Sequence, residues 1–106
     1  MDLNKTQKRV IVNKIKHNFN TTDIPFEFAL LHGEVSEAFE AYLKKKDDLG
    51  SELADVAIYL LGISELLGFS LEDEINKKLA INEKRVYERV NGVLLKKSQN
   101  NGEKNG

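Results

Sequence analysis

Cysteine and tryptophan are absent from the 106 residues, proline occurs once, and charged residues interrupt every long apolar stretch. Without cysteine there are no disulfides, no thiolate metal sites and no cysteine nucleophile, and a cytoplasmic location is the expectation. A membrane span needs roughly 18 consecutive apolar residues, so no association with a membrane is expected. The first 16 residues have scattered charges and no apolar core followed by small residues, so no secretory signal is expected there. The length suits one modest domain.

What is present is charge, unevenly placed. The net charge of -1 gives no reason to expect a nucleic-acid polymer as partner. Residues 1–17 carry five bases against Asp2, a local +4. Residues 18–74 carry thirteen acids against Lys44, Lys45 and Lys46, a local -10, and residues 75–106 carry eight bases against three acids, a local +5. An acidic middle between basic ends suits a site for cations and a phosphate, and equally the solvated faces of a helical bundle.

Apolar residues recur at helical spacing, and no alternating run reads as a strand. A first helix is expected over residues 3–17, burying Val10, Ile11 and Ile15. After a polar loop at 18–23, Thr22 or Asp23 caps a second helix with Pro25 in its first turn, where a missing N–H costs little. That helix runs to about residue 46 with a stripe of Phe28, Leu31, Val35, Ala38 and Tyr42. Asp48 can cap a third helix over 49–67, which Gly68 ends. Ser70 caps a fourth, with Asp73 as its capping-box-like partner, running to about residue 89. The expectation is an all-α, four-helix bundle-like unit: one domain over 1–92 and a flexible polar tail over 93–106. Tyr42, Leu60, Leu61, Ile63 and Leu67 make more apolar surface than one partner helix can cover, so a homo-oligomer is expected.

Four acids stand out because they lie on apolar faces. At about 100° per residue, Glu34 shares a face with Leu30, Leu31, Ala38 and Ala41, and Glu37 follows it one turn on. In the third helix, LADVAIYLLGI (residues 53–63) has Asp55 as its single charge, with Glu52 a turn before it. A helix apolar on nearly all sides is buried, and an unpaired buried carboxylate is costly. Either each acid reaches solvent or a lysine from elsewhere, or a divalent metal sits among them. Hard oxygen ligands suit Mg²⁺ or Mn²⁺. The Glu-x-x-His pairs of di-iron bundles are missing, and His32 lies about 200° round the helix from Glu34. Mg²⁺ held by carboxylates usually serves a phosphate-bearing substrate. Lys78, Asn82 and Arg85 follow at i, i+4 and i+7 on the fourth helix, able to meet phosphate and sugar or base. Tyr59 could stack on a base or bond a hydroxyl.

Glu34-x-x-Glu37, the spacer, Glu52-x-x-Asp55 and the following Val-Ala-Ile-Tyr-Leu-Leu resemble the signature of the MazG-like all-α nucleoside triphosphate pyrophosphohydrolases. KLAINEKR (residues 78–85) is similar to that family's Lys-x-x-x-Asn-x-x-Arg stretch, so the resemblance covers about residues 24–89. It implies that Glu34, Glu37, Glu52 and Asp55 bind Mg²⁺ and that Glu37 orients the attacking water. Lys78 and Arg85 would meet phosphates, and Asn82 and Tyr59 the sugar or base. It also implies a homodimer or homotetramer that releases nucleoside monophosphate and pyrophosphate, clearing non-canonical or excess nucleotides. Val86, where many relatives have proline, and the tail after Val90 depart from the pattern. Two other readings stay open. A phosphoribosyl-ATP pyrophosphohydrolase shares the four acids but typically has Tyr-His where Leu60 follows Tyr59. A non-catalytic helical interaction module would use the acids for solvation or a structural cation.

Overall fold

The structure is a computed structural model that describes residues 1–85 and 87–96. Four helices, α1 (Leu3–Lys16), α2 (Ile24–Leu43), α3 (Leu49–Leu67) and α4 (Leu71–Lys84), precede a hairpin of β1 (Tyr87–Val90) and β2 (Val93–Lys96). The chain divides into two compact units, Met1–Glu74 and Ile75–Gly106, with the division inside α4. That division coincides with the change from acidic to basic sequence. Among the described residues no single helix is long and apolar enough to cross a membrane.

In the first unit α3 is the central element, with both α2 and α1 packed on it. The short connection at 44–48 turns the chain back, so that α2 and α3 form a helical hairpin. Local chemistry sets the helix ends. Asp2 accepts from the Lys5 N–H (3.2 Å) and Asp23 from the Phe26 N–H (3.0 Å), each satisfying a donor left open by the first helical turn. Asp48 occupies the cap position of α3 without a side-chain capping bond. At the other ends, Asn18, Lys45 and Gly68 adopt left-handed backbone (φ 56°, 54° and 82°). The next amide in each case bonds back to a carbonyl in the last turn, Phe19 to Lys14, Lys46 to Ala41 and Phe69 to Ser64. All three helices therefore stop by the same Schellman geometry.

The buried residues are not the ones a simple apolar stripe selects. Ala38, Ala41, Leu61 and Ile63 form the buried apolar core, and Gln7, Lys14 and Glu27 are buried with them. Val10 and Ile11 are half-buried, whereas Ile15 is exposed, as are Phe28, Val35 and Tyr42 of the expected α2 stripe. The helix α1 turns a polar edge inward. Gln7 donates to Glu65 and to the Phe69 carbonyl and accepts from the Leu71 N–H, tying α1 to the turn before α4. Lys14 forms an ion pair with the fully buried Glu27 of α2. Gly62 allows this approach: a β-carbon there would lie 3.2 Å from Val10 Cγ1 and 3.7 Å from Lys14 Cε.

The fourth helix starts as expected, the Ser70 hydroxyl accepting from the Asp73 N–H (3.2 Å). It ends at Lys84 and not near residue 89, and α2 ends at Leu43 and not near 46. The strand-free reading is also corrected. Asn91 and Gly92, both at positive φ (53° and 81°), make a tight turn, and Val90 pairs with Val93 across it in an antiparallel register. Asn-Gly is a strong short-range hairpin signal, because both turn positions require left-handed backbone. Of the segment expected to be a flexible tail, Val93–Lys96 is this second strand. Residues 97–106, and Val86, lie outside the described residues.

The buried pair makes a stability prediction. Lys14→Met leaves Glu27 buried without its counter-charge and should cost about 3–5 kcal/mol, whereas Lys14→Met with Glu27→Gln should cost far less. Urea denaturation of both variants checks this.

Candidate metal centre

Helix α2 carries Glu34 and Glu37 one turn apart on the side that faces α3, the face it shares with the buried Ala38 and Ala41. Glu52 sits in the first turn of α3, where the amide ends of the helix favour a negative charge. The helical hairpin brings these three side chains together. One carboxylate oxygen from each of Glu34, Glu37 and Glu52 lies within 4.8 Å of the other two. Glu34 and Glu52 are partly buried and Glu37 is exposed. Asp55, also partly buried, stands outside this trio, though its charge acts on both Glu34 and Glu52.

The electrostatic consequence is direct. The Glu34 carboxyl is raised above its ordinary value, first by burial, then by the charges of Glu37 and Asp55, with a hydrogen bond to Glu37 and the charge of Glu52 adding to the effect. Glu52 is raised by burial, then by Glu37, Asp48 and Asp55, and by its own hydrogen bond with Glu37. Tyr59, one turn after Asp55, is raised by burial and then by Glu27, Glu34, Asp55 and Glu37, so its hydroxyl keeps its proton beside the acids.

One oxygen of Glu34 and one of Glu52, Oε2 in each, are buried without a hydrogen-bond partner. Buried acceptors of this kind are rare, and each calls for an explanation. A hard divalent cation among the three carboxylates would satisfy both and reverse the repulsion that raises them. The donor set therefore fits Mg²⁺ or Mn²⁺. His32 is exposed and is not among the grouped ligand atoms.

The other expected residues belong to the second unit. Lys78 and Asn82 are exposed on α4, and Arg85, half-buried, follows the last helical residue, its amide bonded to the Asn82 carbonyl (3.2 Å). The expected i+7 relation thus reaches just past the end of the helix. Sequence reasoning overlooked Glu27. It stands seven residues before Glu34 and so on the same face of α2, a spacing that could have revealed it. It also overlooked Lys14, whose ammonium lies 5.5 Å from the centre of the Tyr59 ring.

Comparison with known proteins adds one similarity. A dATP/dGTP diphosphohydrolase of Salmonella phage PMBT28 is 41% identical over a 61-residue alignment, covering 48% of this chain and 21% of the phage protein. The chain thus spans about a fifth of the length of that relative. No family model matches the chain, and no solved structure matches it.

The raised carboxyls yield a linked prediction. In the native chain Glu34 and Glu52 hold protons more tightly than when unfolded. Without divalent ions, stability should therefore fall as pH rises from the ordinary carboxyl value of 4.5 through the raised native values, and level off above them. At neutral pH in EDTA, Glu34→Gln should raise the melting temperature. Mg²⁺ should raise that of the wild type and much less that of Glu34→Gln. Thermal melts with and without Mg²⁺ check both signs.

Proposed function

We propose that this chain is a divalent-cation-dependent pyrophosphohydrolase of nucleoside triphosphates. The observation that carries the reading is the convergence of Glu34, Glu37 and Glu52 with two buried oxygens left unbonded. The partial likeness to a protein named dATP/dGTP diphosphohydrolase supports the substrate class. Glu34, Glu37 and Glu52 would hold Mg²⁺, with Asp55 completing the set, and Mn²⁺ would serve as substitute. Bound there, the cation supplies charge neutralisation for the triphosphate and acidification of water.

The protein's own groups do the rest. Glu37, the exposed member of the trio, accepts a proton from the attacking water and orients it. The new bond forms between water oxygen and phosphorus as the α–β anhydride bond breaks, and pyrophosphate leaves with the bridging electron pair. Lys78 and Arg85 neutralise phosphate oxygens, Asn82 hydrogen-bonds sugar or base, and Tyr59 offers a ring and a protonated hydroxyl. No side-chain nucleophile is required. The role in the cell is the removal of non-canonical or excess nucleotides, in the cytoplasm.

We further propose a homo-oligomer, a homodimer or homotetramer. Phe39, Tyr42, Leu43 and Leu53 are each more than half exposed, at 61%, 64%, 60% and 55%. That much apolar surface on a small chain suits a second copy as cover.

Incubation with Mg²⁺ and a nucleotide panel that includes dATP and dGTP should release pyrophosphate and not orthophosphate. Glu37→Gln should lower kcat by about 10²-fold or more, and Asp55→Asn should lower activity by about 10–100-fold. Release that survives both substitutions, or no turnover across the panel, contradicts the reading. Light scattering coupled to size exclusion should find more than one chain per particle.

A further inference from the structure

Two charged groups meet at Tyr59. The acids Glu27, Glu34, Asp55 and Glu37, Glu27 foremost, act on its hydroxyl, and the Lys14 ammonium lies over its ring at 5.5 Å. Attraction between an ammonium and an aromatic face is effective within about 6 Å and strengthens when the cation is desolvated. Lys14 is desolvated, with 9% of its side chain exposed, and Glu27 retains 1%.

The ammonium is also fixed in place. It pairs with Glu27 and donates to the Asn20 carbonyl (3.3 Å). Asn20 is itself fastened, its amide donating to the other Glu27 oxygen (3.0 Å) and to the Asp23 carbonyl (2.8 Å). Its side-chain oxygen accepts from the Asp23 N–H (3.0 Å). The lysine stem passes the bare face of Gly62. Three segments, α1, the loop at 18–23 and α2, thus converge on one nitrogen that also lies 5.5 Å from the centre of the Tyr59 ring on α3. Burying an ion pair is a poor way to gain stability, because apolar residues of similar volume usually serve as well or better. A rigid charge over an aromatic face does supply orientation.

We propose that Lys14 is a positioning residue, clamped by Glu27 and Asn20, that holds the Tyr59 ring in the orientation in which it meets a nucleotide. This rests on the proposed function. Tyr59 touches the sugar or base and not the reacting phosphorus, so its loss removes binding common to ground and transition states and raises KM with little change in kcat.

The test uses the full chain, with ring-¹³C-labelled tyrosine, as wild type, Lys14→Met/Glu27→Gln, Tyr59→Leu and the combination of all three. The paired substitution leaves no lone buried charge, so the fold is kept. Lys14→Arg, which keeps a cation able to stack on a ring, is the rescue variant. In the paired variant the Tyr59 ring signals should shift while those of Tyr42 stay. KM for dATP should rise about tenfold with kcat within about twofold, and Lys14→Arg should keep most of the wild-type KM. The triple variant should be no worse than Tyr59→Leu, because both changes act through one ring. Unmoved Tyr59 signals, or losses in the triple variant that multiply, overturn the proposal. A wild type that releases no pyrophosphate overturns the proposed function instead, and the ring signals still decide the clamp.

Discussion

Three carboxylate oxygens within 4.8 Å of one another repel, and the packing of α2 against α3 holds them there. The apolar contact of the two helices, with Ala38 and Ala41 of α2 buried, cannot form without bringing Glu34 and Glu37 against Glu52. The hairpin therefore stores an electrostatic cost that protons relieve in part and a divalent cation relieves more fully. Much of the first unit can be read as keeping that hairpin closed, with the common left-handed stop of α1, α2 and α3, and α1 laid along α3 at Gly62.

The same face of α2 shows two ways of treating a buried acid. Glu27 is neutralised from within: one oxygen forms the ion pair with Lys14 and the other accepts from the Asn20 amide. Seven residues later Glu34 keeps one buried oxygen unbonded, as does Glu52 opposite it. A chain that can place a lysine against one buried glutamate has the means to satisfy another. The open oxygens of Glu34 and Glu52 are the ones the proposed cation would engage. Tyr59 lies where the two treatments meet, under the Lys14 ammonium and in the field of both Glu27 and Glu34.

The helices were legible in the sequence because they depend on local periodicity and capping; of the four acids expected together, Glu34, Glu37 and Glu52 converge and Asp55 stands outside the group. Residues 3–17 and 49–67 were bounded almost to the residue, and the face shared by Glu34, Ala38 and Ala41 is the one that packs. What was not legible depends on contacts between distant segments. Ile15 looked like core and is exposed, while Lys14 beside it is buried, because the partner that makes burial tolerable is thirteen residues away on another helix. Phe28, Val35 and Tyr42 look like core by spacing and are exposed in the single chain. The hairpin was missed although Asn91-Gly92 announces it, because the helical reading of residues 71–89 was carried past Lys84.

The central claim is that the trio is built to hold a divalent cation. Titration of Mn²⁺ into wild type and Glu52→Gln, followed by the EPR signal of the free ion, tests it without reference to any substrate. The wild type should bind Mn²⁺ with an affinity that rises as the pH climbs above the ordinary carboxyl value of 4.5 and protons leave the raised carboxyls. Glu52→Gln should bind at least about tenfold more weakly. Equal binding by the two proteins, or none by the wild type, would contradict the claim.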